Sequence, residues 1–230
     1  AARGQLDALS DTPTQIGIVS FNASANSYQD GSGTASYTSS PLTLGDAGQT
    51  NENALKTTID NVYNAPTGGT NWDIALQKAS AAAGFTTDVT TGQTTKPDVV
   101  VFITDGNPTA NSTTATDAGS DVNLLDLTAG MASGNSVKNT LARPGTNVKL
   151  YAVGVENVPG SGSVNLDALK SVSNSIAGED YENPTAAGLQ AKLTEIAART
   201  CGARVFIRKR VTGSATDQSG WTFTGSSTGG

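Results

Sequence analysis

Apolar and polar positions along the chain predict strands and helices in turn. Residues 1–11, AARGQLDALSD, set Ala2, Leu6 and Leu9 at helical spacing with no capping residue ahead, and read as the tail of a helix already under way. QIGIVSFNA follows, with Ile16, Ile18, Val19 and Phe21, and reads as a buried strand. Residues 24–50 are rich in Ser, Thr, Gly and Asn, with TASYTSS as a short edge strand. TNENALKTTIDNVYN opens at an N-cap, Thr50 or Asn51, and puts Leu55, Ile59 and Val62 on one helical face. After a turn at APTGG comes a second helix whose apolar face includes Ile74, Ala75, Ala79 and Ala82.

Residues 98–103 then form an apolar strand, DVVVFI, followed by a polar loop over 104–121. VNLLDLTAGMASGNSVKNTL reads as a helix weakened by Gly130 and Gly134. NVKLYAVGVE is another strand with little alternation, and NLDALKSVSN a short helix. TAAGLQAKLTEIAART is amphipathic through Leu189, Leu193 and Ile196. Strands that are apolar throughout and alternate with helices predict an α/β fold: a Rossmann-like, mostly parallel sheet flanked by helices on both faces. After Cys201 the pattern changes to alternating β material with Gly-rich turns. We expect one α/β domain over 1–202 and, over 203–230, a last strand and the start of a β module, the change falling near Val211. No internal repeat is visible.

Composition narrows the function classes. Lys and Arg number 14 against 20 Asp and Glu, a net charge of −6, which argues against a nucleic-acid partner. Arg204, Arg208, Lys209 and Arg210 alternate with apolar residues as the solvent side of a strand does. There is no histidine, which removes Ser-His-Asp and Cys-His catalysis and His-ligated zinc. No run approaches the roughly 18 apolar residues of a membrane span. The first nine residues lack the apolar core of a signal peptide, so Ala1 is not expected to be the natural start.

Two segments carry candidate chemistry. KPDVVVFITDGNPT ends a strand on Asp105, where open parallel sheets bind ligands. T-D-G-N-P is also turn chemistry, so Asp105 as a turn residue stays open. PTGGTNWDIAL puts Thr70 at the mouth of a helix behind two glycines. A hydroxyl and a carboxylate from neighbouring loops are hard oxygen donors suited to Mg²⁺ or Mn²⁺. Nucleotide-binding and enzymatic readings are weaker: no G-x-G-x-x-G follows a strand, VYNAPTGGTN lacks a P-loop lysine, and only one acid has an arguable place in a cleft.

QIGIVSF, GGTNWDIAL, VVVFITDGNPT and VKLYAVGV, in that order, resemble a von Willebrand factor type A domain over roughly residues 1–200. The resemblance implies a metal-ion-dependent adhesion site at the upper edge of the sheet. Thr70 would be one ligand and Asp105 another, usually through water, with an Asp and two Ser of a D-x-S-x-S motif completing the set. Mg²⁺ (or Mn²⁺ or Ca²⁺) would then bridge to an acidic side chain of a partner. That motif, and the strand before it, are missing here. DGSGT, Asp30 to Thr34, matches its letters but follows the wrong strand and reads as a hairpin tip.

We therefore expect an N-terminally incomplete domain, short by on the order of thirty residues: a strand, its loop and the first helical turns. The sheet's central strand would be absent unless another chain supplies it, leaving edges that favour association. Metal binding by this chain is expected to be weak or absent.

The resemblance also implies a disulfide for Cys201 with a partner in the missing piece, the alternative being a buried free thiol. The β tail resembles an immunoglobulin-like or collagen-binding-B-type module of bacterial adhesins and pilus tips, in which Lys209 would either form an isopeptide bond or be solvated. Trp72 could rim the binding face or pack at the helix start. The function implied is that of a non-enzymatic, extracellular, cell-surface-anchored adhesion domain. Asn71, Trp72, Asp105, Gly106 and Asn107 would meet a protein or glycan on a host or neighbouring cell. The alternative is a scaffold or pilus subunit whose metal site is not used.

Overall fold

The computed structural model describes residues 2–10, 12, 14–22, 25–28, 41–44, 49–63, 69–82, 85, 96–111, 122–143, 146–156, 163–173 and 180–200. Asp30 to Thr34, TASYTSS, Cys201, Lys209 and the whole 203–230 tail lie outside these residues.

A parallel sheet forms the centre. Strands β5 (Val99–Thr104), β8 (Lys149–Gly154) and β9 (Tyr181–Glu182) lie in the order β5-β8-β9, with Val99 opposite Lys149 and Ala152 opposite Tyr181. Strand β9 had no hydrophobic run to announce it. Its two residues are placed by pairing with β8, not by their own pattern.

Helices cover both faces. Side chains of a strand alternate between faces. On one side Phe102, Leu150 and Ala152 pack with Trp72 and Leu76 of α3 (Trp72–Ala81), Val137 of α4 (Leu124–Asn139) and Leu169 and Val172 of α5 (Leu166–Val172). On the other, Tyr151 and Val153 pack with Leu193 and Ile196 of α6 (Leu189–Thr200). This two-sided cover is why β5 and β8 read as unbroken apolar runs.

The glycines of α4 weaken its propensity but let it come close to its neighbours. A Cβ on Gly130 would stand 3.2 Å from the Cβ of Trp72, and one on Gly134 only 2.7 Å from the carbonyl oxygen of Val172. Helix packing outweighs the intrinsic cost of glycine, roughly 1 kcal/mol each.

The predicted strand over 15–23 is two strands with different partners. Strand β1 (Gln15–Ile16) pairs antiparallel with β4 (Leu42–Thr43), and β2 (Ile18–Phe21) pairs antiparallel with β3 (Ala25–Tyr28). Strand β3, ANSY, lies in a stretch read as polar loop; its signal is its partner's edge, not its own composition. A further hairpin, β6 (Leu141–Arg143) with β7 (Thr146–Asn147), follows α4; β6 was not expected, and β7 takes Asn147, expected to open the next strand, into a separate pairing. Helix α1 (Ala2–Leu9) buries Leu6 and Leu9 against Leu55 of α2 (Thr50–Tyr63), Leu44 and Ala197 of α6.

The β2–β3 hairpin lies beside β5 without joining its ladder. Phe21 of β2 stacks on Phe102 of β5, with ring centroids 5.3 Å apart. Among the described residues, β5 has hydrogen-bonded strand pairing on one side only, to β8. Both β2 and β5 end at the head of α3: the Asn22 carbonyl accepts from the Asn71 amide at 2.8 Å, and the Trp72 indole reaches the end of β5.

Candidate functional site at the carboxyl edge of the sheet

The turn after β5 is built on two buried groups. Thr104, 4% exposed, donates its hydroxyl to the Gly106 carbonyl at 2.8 Å. The Trp72 Nε1–H donates to the same carbonyl at 3.2 Å and to Thr104 Oγ1 at 3.3 Å. The chain is thereby turned so that Asp105 is exposed while its neighbours are anchored below.

Thr70 stands beside this turn. A Cβ on Gly106 would lie 3.3 Å from Thr70 Oγ1, so glycine keeps the approach open. The Thr70 amide donates to Thr109 Oγ1 at 2.8 Å, and its carbonyl accepts from the amides of Thr109 (2.8 Å) and Ala110 (3.2 Å). With its backbone fully engaged, the Thr70 hydroxyl is left with no hydrogen bond among the described residues. Thr70 and the turn bearing Asp105 thus meet at one edge, as their motifs implied.

Asn71 and Trp72, expected on the binding face, are instead part of the support. Both are fully buried. Asn71 is the N-cap of α3, its Oδ1 accepting from the Ile74 amide at 3.0 Å. Trp72 is a core residue, edge-on to Phe102 with centroids 5.5 Å apart. An indole with its N–H satisfied by the protein and its ring enclosed has no surface left for a partner.

Gly106 is half-buried, and its carbonyl is taken by Thr104 and Trp72. Asn107 is also half-buried and bridges two loops. Its Nδ2 donates to the Ser163 carbonyl at 2.9 Å, and its Oδ1 accepts from the Asn165 amide at 2.7 Å, at the head of α5. Both of these polar groups of Asn107 hold the edge together.

Sequence reasoning missed a strip on the other side. Asn111, 3% exposed, donates Nδ2 to Asp126 Oδ1 at 2.8 Å, and Asp126 is 1% exposed. Asp126 sits three residues after Asn123, the N-cap of α4, whose Oδ1 accepts the Asp126 amide at 2.9 Å. Locally that spacing is an ordinary capped helix start, so the available signal pointed to a surface acid. Asp73, also buried, accepts from Ser133 Oγ at 2.5 Å and Gln77 Nε2 at 2.8 Å, joining α3 to α4.

Thr70 and Asp105 match a hard divalent cation in kind but not in number, since two donors fall short of the six that Mg²⁺ takes. Among the described residues there is no group of three His, Cys, Asp or Glu placed to hold a metal ion. None of the described helices is long and apolar enough to cross a membrane.

No family model matches the sequence, and no curated protein matches it. Among the solved structures that resemble the fold are two with a TM-score of 0.55. One is a von Willebrand factor type A protein from Catenulispora acidiphila, with 15% sequence identity and a TM-score of 0.55 over 89% of this chain. The other is the pilus adhesin SpaC from Lactobacillus rhamnosus GG, again with 15% identity and a TM-score of 0.55, over 85% of this chain. The chain spans 38% and 26% of the lengths of those two proteins. At that identity the likeness is one of fold, and the chain has the von Willebrand factor A-like α/β fold that its motifs resemble.

Proposed function

We propose that this chain is a non-catalytic, adhesion-type ligand-binding domain, exposed at a cell surface, whose contact face is the carboxyl edge of β5. The observation that carries the reading is the Thr70 hydroxyl. It is half-buried, lacks a hydrogen-bond partner among the described residues, and is held beside the turn that exposes Asp105. A partly exposed hydroxyl that none of the described residues engages is open to an incoming ligand.

Thr70 and Asp105 would hold a divalent cation, Mg²⁺, Mn²⁺ or Ca²⁺, together with donors that these two residues do not supply. The bound cation would act as a Lewis acid toward an acidic group of a protein or glycan partner. The chain's own residues do the positioning: Thr104 and Trp72 fix the turn from below, Asn107 ties it to the head of α5, and Thr109 and Ala110 lock the backbone of Thr70. With these two donors among the described residues, affinity for the cation is expected to be weak.

Mn²⁺ titration followed by electron paramagnetic resonance tests this. Binding weaker than micromolar is expected for the unaltered chain, and at least about tenfold weaker again for Asp105→Ala and Thr70→Val. Micromolar affinity would contradict the donor count, and indifference to both substitutions would remove these residues from the site. Retention of the chain on a surface of succinylated albumin, a dense display of carboxylates, should be sensitive to EDTA. If retention survives both EDTA and Asp105→Ala, the metal bridge is wrong and a scaffold or pilus role is favoured.

A further inference from the structure

We propose that Asp126 is a positioning residue for this edge: through Asn111 it fixes residues 109–111, and through them the orientation of Thr70. The inference rests on Thr70 being a working group of the site. A carboxylate that is 1% exposed is costly to bury, and Asp126 recovers only part of that cost: Oδ1 accepts from Asn111, while Oδ2 is buried without a hydrogen-bond partner among the described residues. Packing alone would be served better by an apolar side chain. What the carboxylate provides is an acceptor for Asn111 Nδ2 at 2.8 Å.

Asn111 closes a short strip in which Ala110 is fully buried and the amides of Thr109 and Ala110 both donate to the Thr70 carbonyl. Thr109 Oγ1 in turn accepts the Thr70 amide. Every backbone polar group of Thr70 is therefore held by this strip, and the strip's far end is held by Asp126. Buried polar links of this kind specify one arrangement of a loop even where they add little stability.

The competing role for Asp126 is that of a first-turn acid favoured by the dipole of α4. The two differ in what matters: charge for the helix end, an acceptor atom for the link. Asp126→Asn removes the charge and keeps an acceptor; Asp126→Val removes both. Amide hydrogen exchange of Thr109 and Ala110, followed by NMR, should accelerate by at least about tenfold in Asp126→Val, the loss expected for a hydrogen bond to a charged group. The acceleration should be no more than about threefold in Asp126→Asn, whose neutral acceptor keeps about half the strength of the bond, and the amides of Ala152 and Val153 in β8 should be unaffected in both.

Should Asp126→Val fail to fold, Asn111→Ala breaks the same link from the other end and should give the same local acceleration. The proposal is overturned if exchange at 109–110 does not change. Equal acceleration in β8, or Asp126→Asn behaving like Asp126→Val, overturns it as well. Because exchange reads the loop and not the cation, the two readings separate. If Mn²⁺ binding ignores Thr70→Val while the exchange pattern holds, the proposed function fails and the link stands.

Discussion

Strands β5 and β8 lie side by side in register, both are apolar, and they are buried to different degrees. From Leu150 to Gly154 every residue of β8 is buried, whereas Val99, Val100, Val101 and Ile103 of β5 are only half-buried. Composition cannot account for this, since β5 is the more hydrophobic run. The difference is in neighbours. β8 is paired on both sides, by β5 and β9, whereas among the described residues β5 is paired only with β8 and meets the β2–β3 hairpin through the Phe21–Phe102 stack. An apolar strand is fully buried only when strands flank both its edges as well as helices its faces.

The same substitution made in both strands tests this most directly. Val153 and Val101 both pack toward α6. Val153→Ala should cost about 2–3 kcal/mol and Val101→Ala about half that, read from urea unfolding midpoints at constant slope. Equal losses would mean that β5 is as enclosed as β8.

Next in size is Gly134→Ala on the well-packed side. The added Cβ would stand 2.7 Å from the carbonyl oxygen of Val172, which cannot swing aside as a side chain could. We expect a loss of about 1–3 kcal/mol. Slower unfolding or an unchanged midpoint would show that α4 and α5 have room to separate.

The smallest effect belongs to the hairpin side, where Lys56 joins Asp7 of α1 and Glu52 of α2, both at 2.5 Å. The lysine beside it holds the Asp7 carboxyl below its ordinary value of 3.8, and Asp7 followed by Glu52 raise Lys56 above 10.5. A lowered acid contributes stability that is present above its ordinary value and lost as pH falls through the folded one. A raised lysine contributes stability lost as pH rises through its folded value. The difference in melting temperature between the chain and Lys56→Met should thus be flat from about pH 5 to 9, shrink at both extremes, and shrink in 1 M salt. A difference that persists at pH 2 would assign the effect to packing of the lysine stem.

How far the site could be read from the chain depends on which residues are asked. That Thr70 lies beside the turn bearing Asp105 was legible because each belongs to a local motif, a glycine-backed helix start and a strand end, and such motifs carry their geometry with them. Asn71 and Trp72 belong to the same motif, yet sequence could not tell that both point inward. For Trp72 that depends on Phe102 and Gly130, thirty and fifty-eight positions away, and the Asn71 amide is held by the carbonyl of Asn22, forty-nine positions away. Nothing in the local pattern of α4 marks Asp126 as buried, for the same reason. Its described side-chain partner, Asn111, is fifteen positions away, and no periodicity links the two. In the fold, β9 and β3 were missed because two or four residues carry no period of their own.

By itself the sequence determined the α/β class, the helices α1 to α6, the strands β5 and β8, and the turn that exposes Asp105. Each follows from a repeat of apolar positions or from a residue with a narrow backbone preference, both local properties of the chain. Only the tertiary structure decided which edge of β5 is paired, which residues near Thr70 face outward, and which buried carboxylate holds the loop. Those depend on contacts between segments far apart in the chain, and hydrophobic patterning says that a face is covered without saying by what.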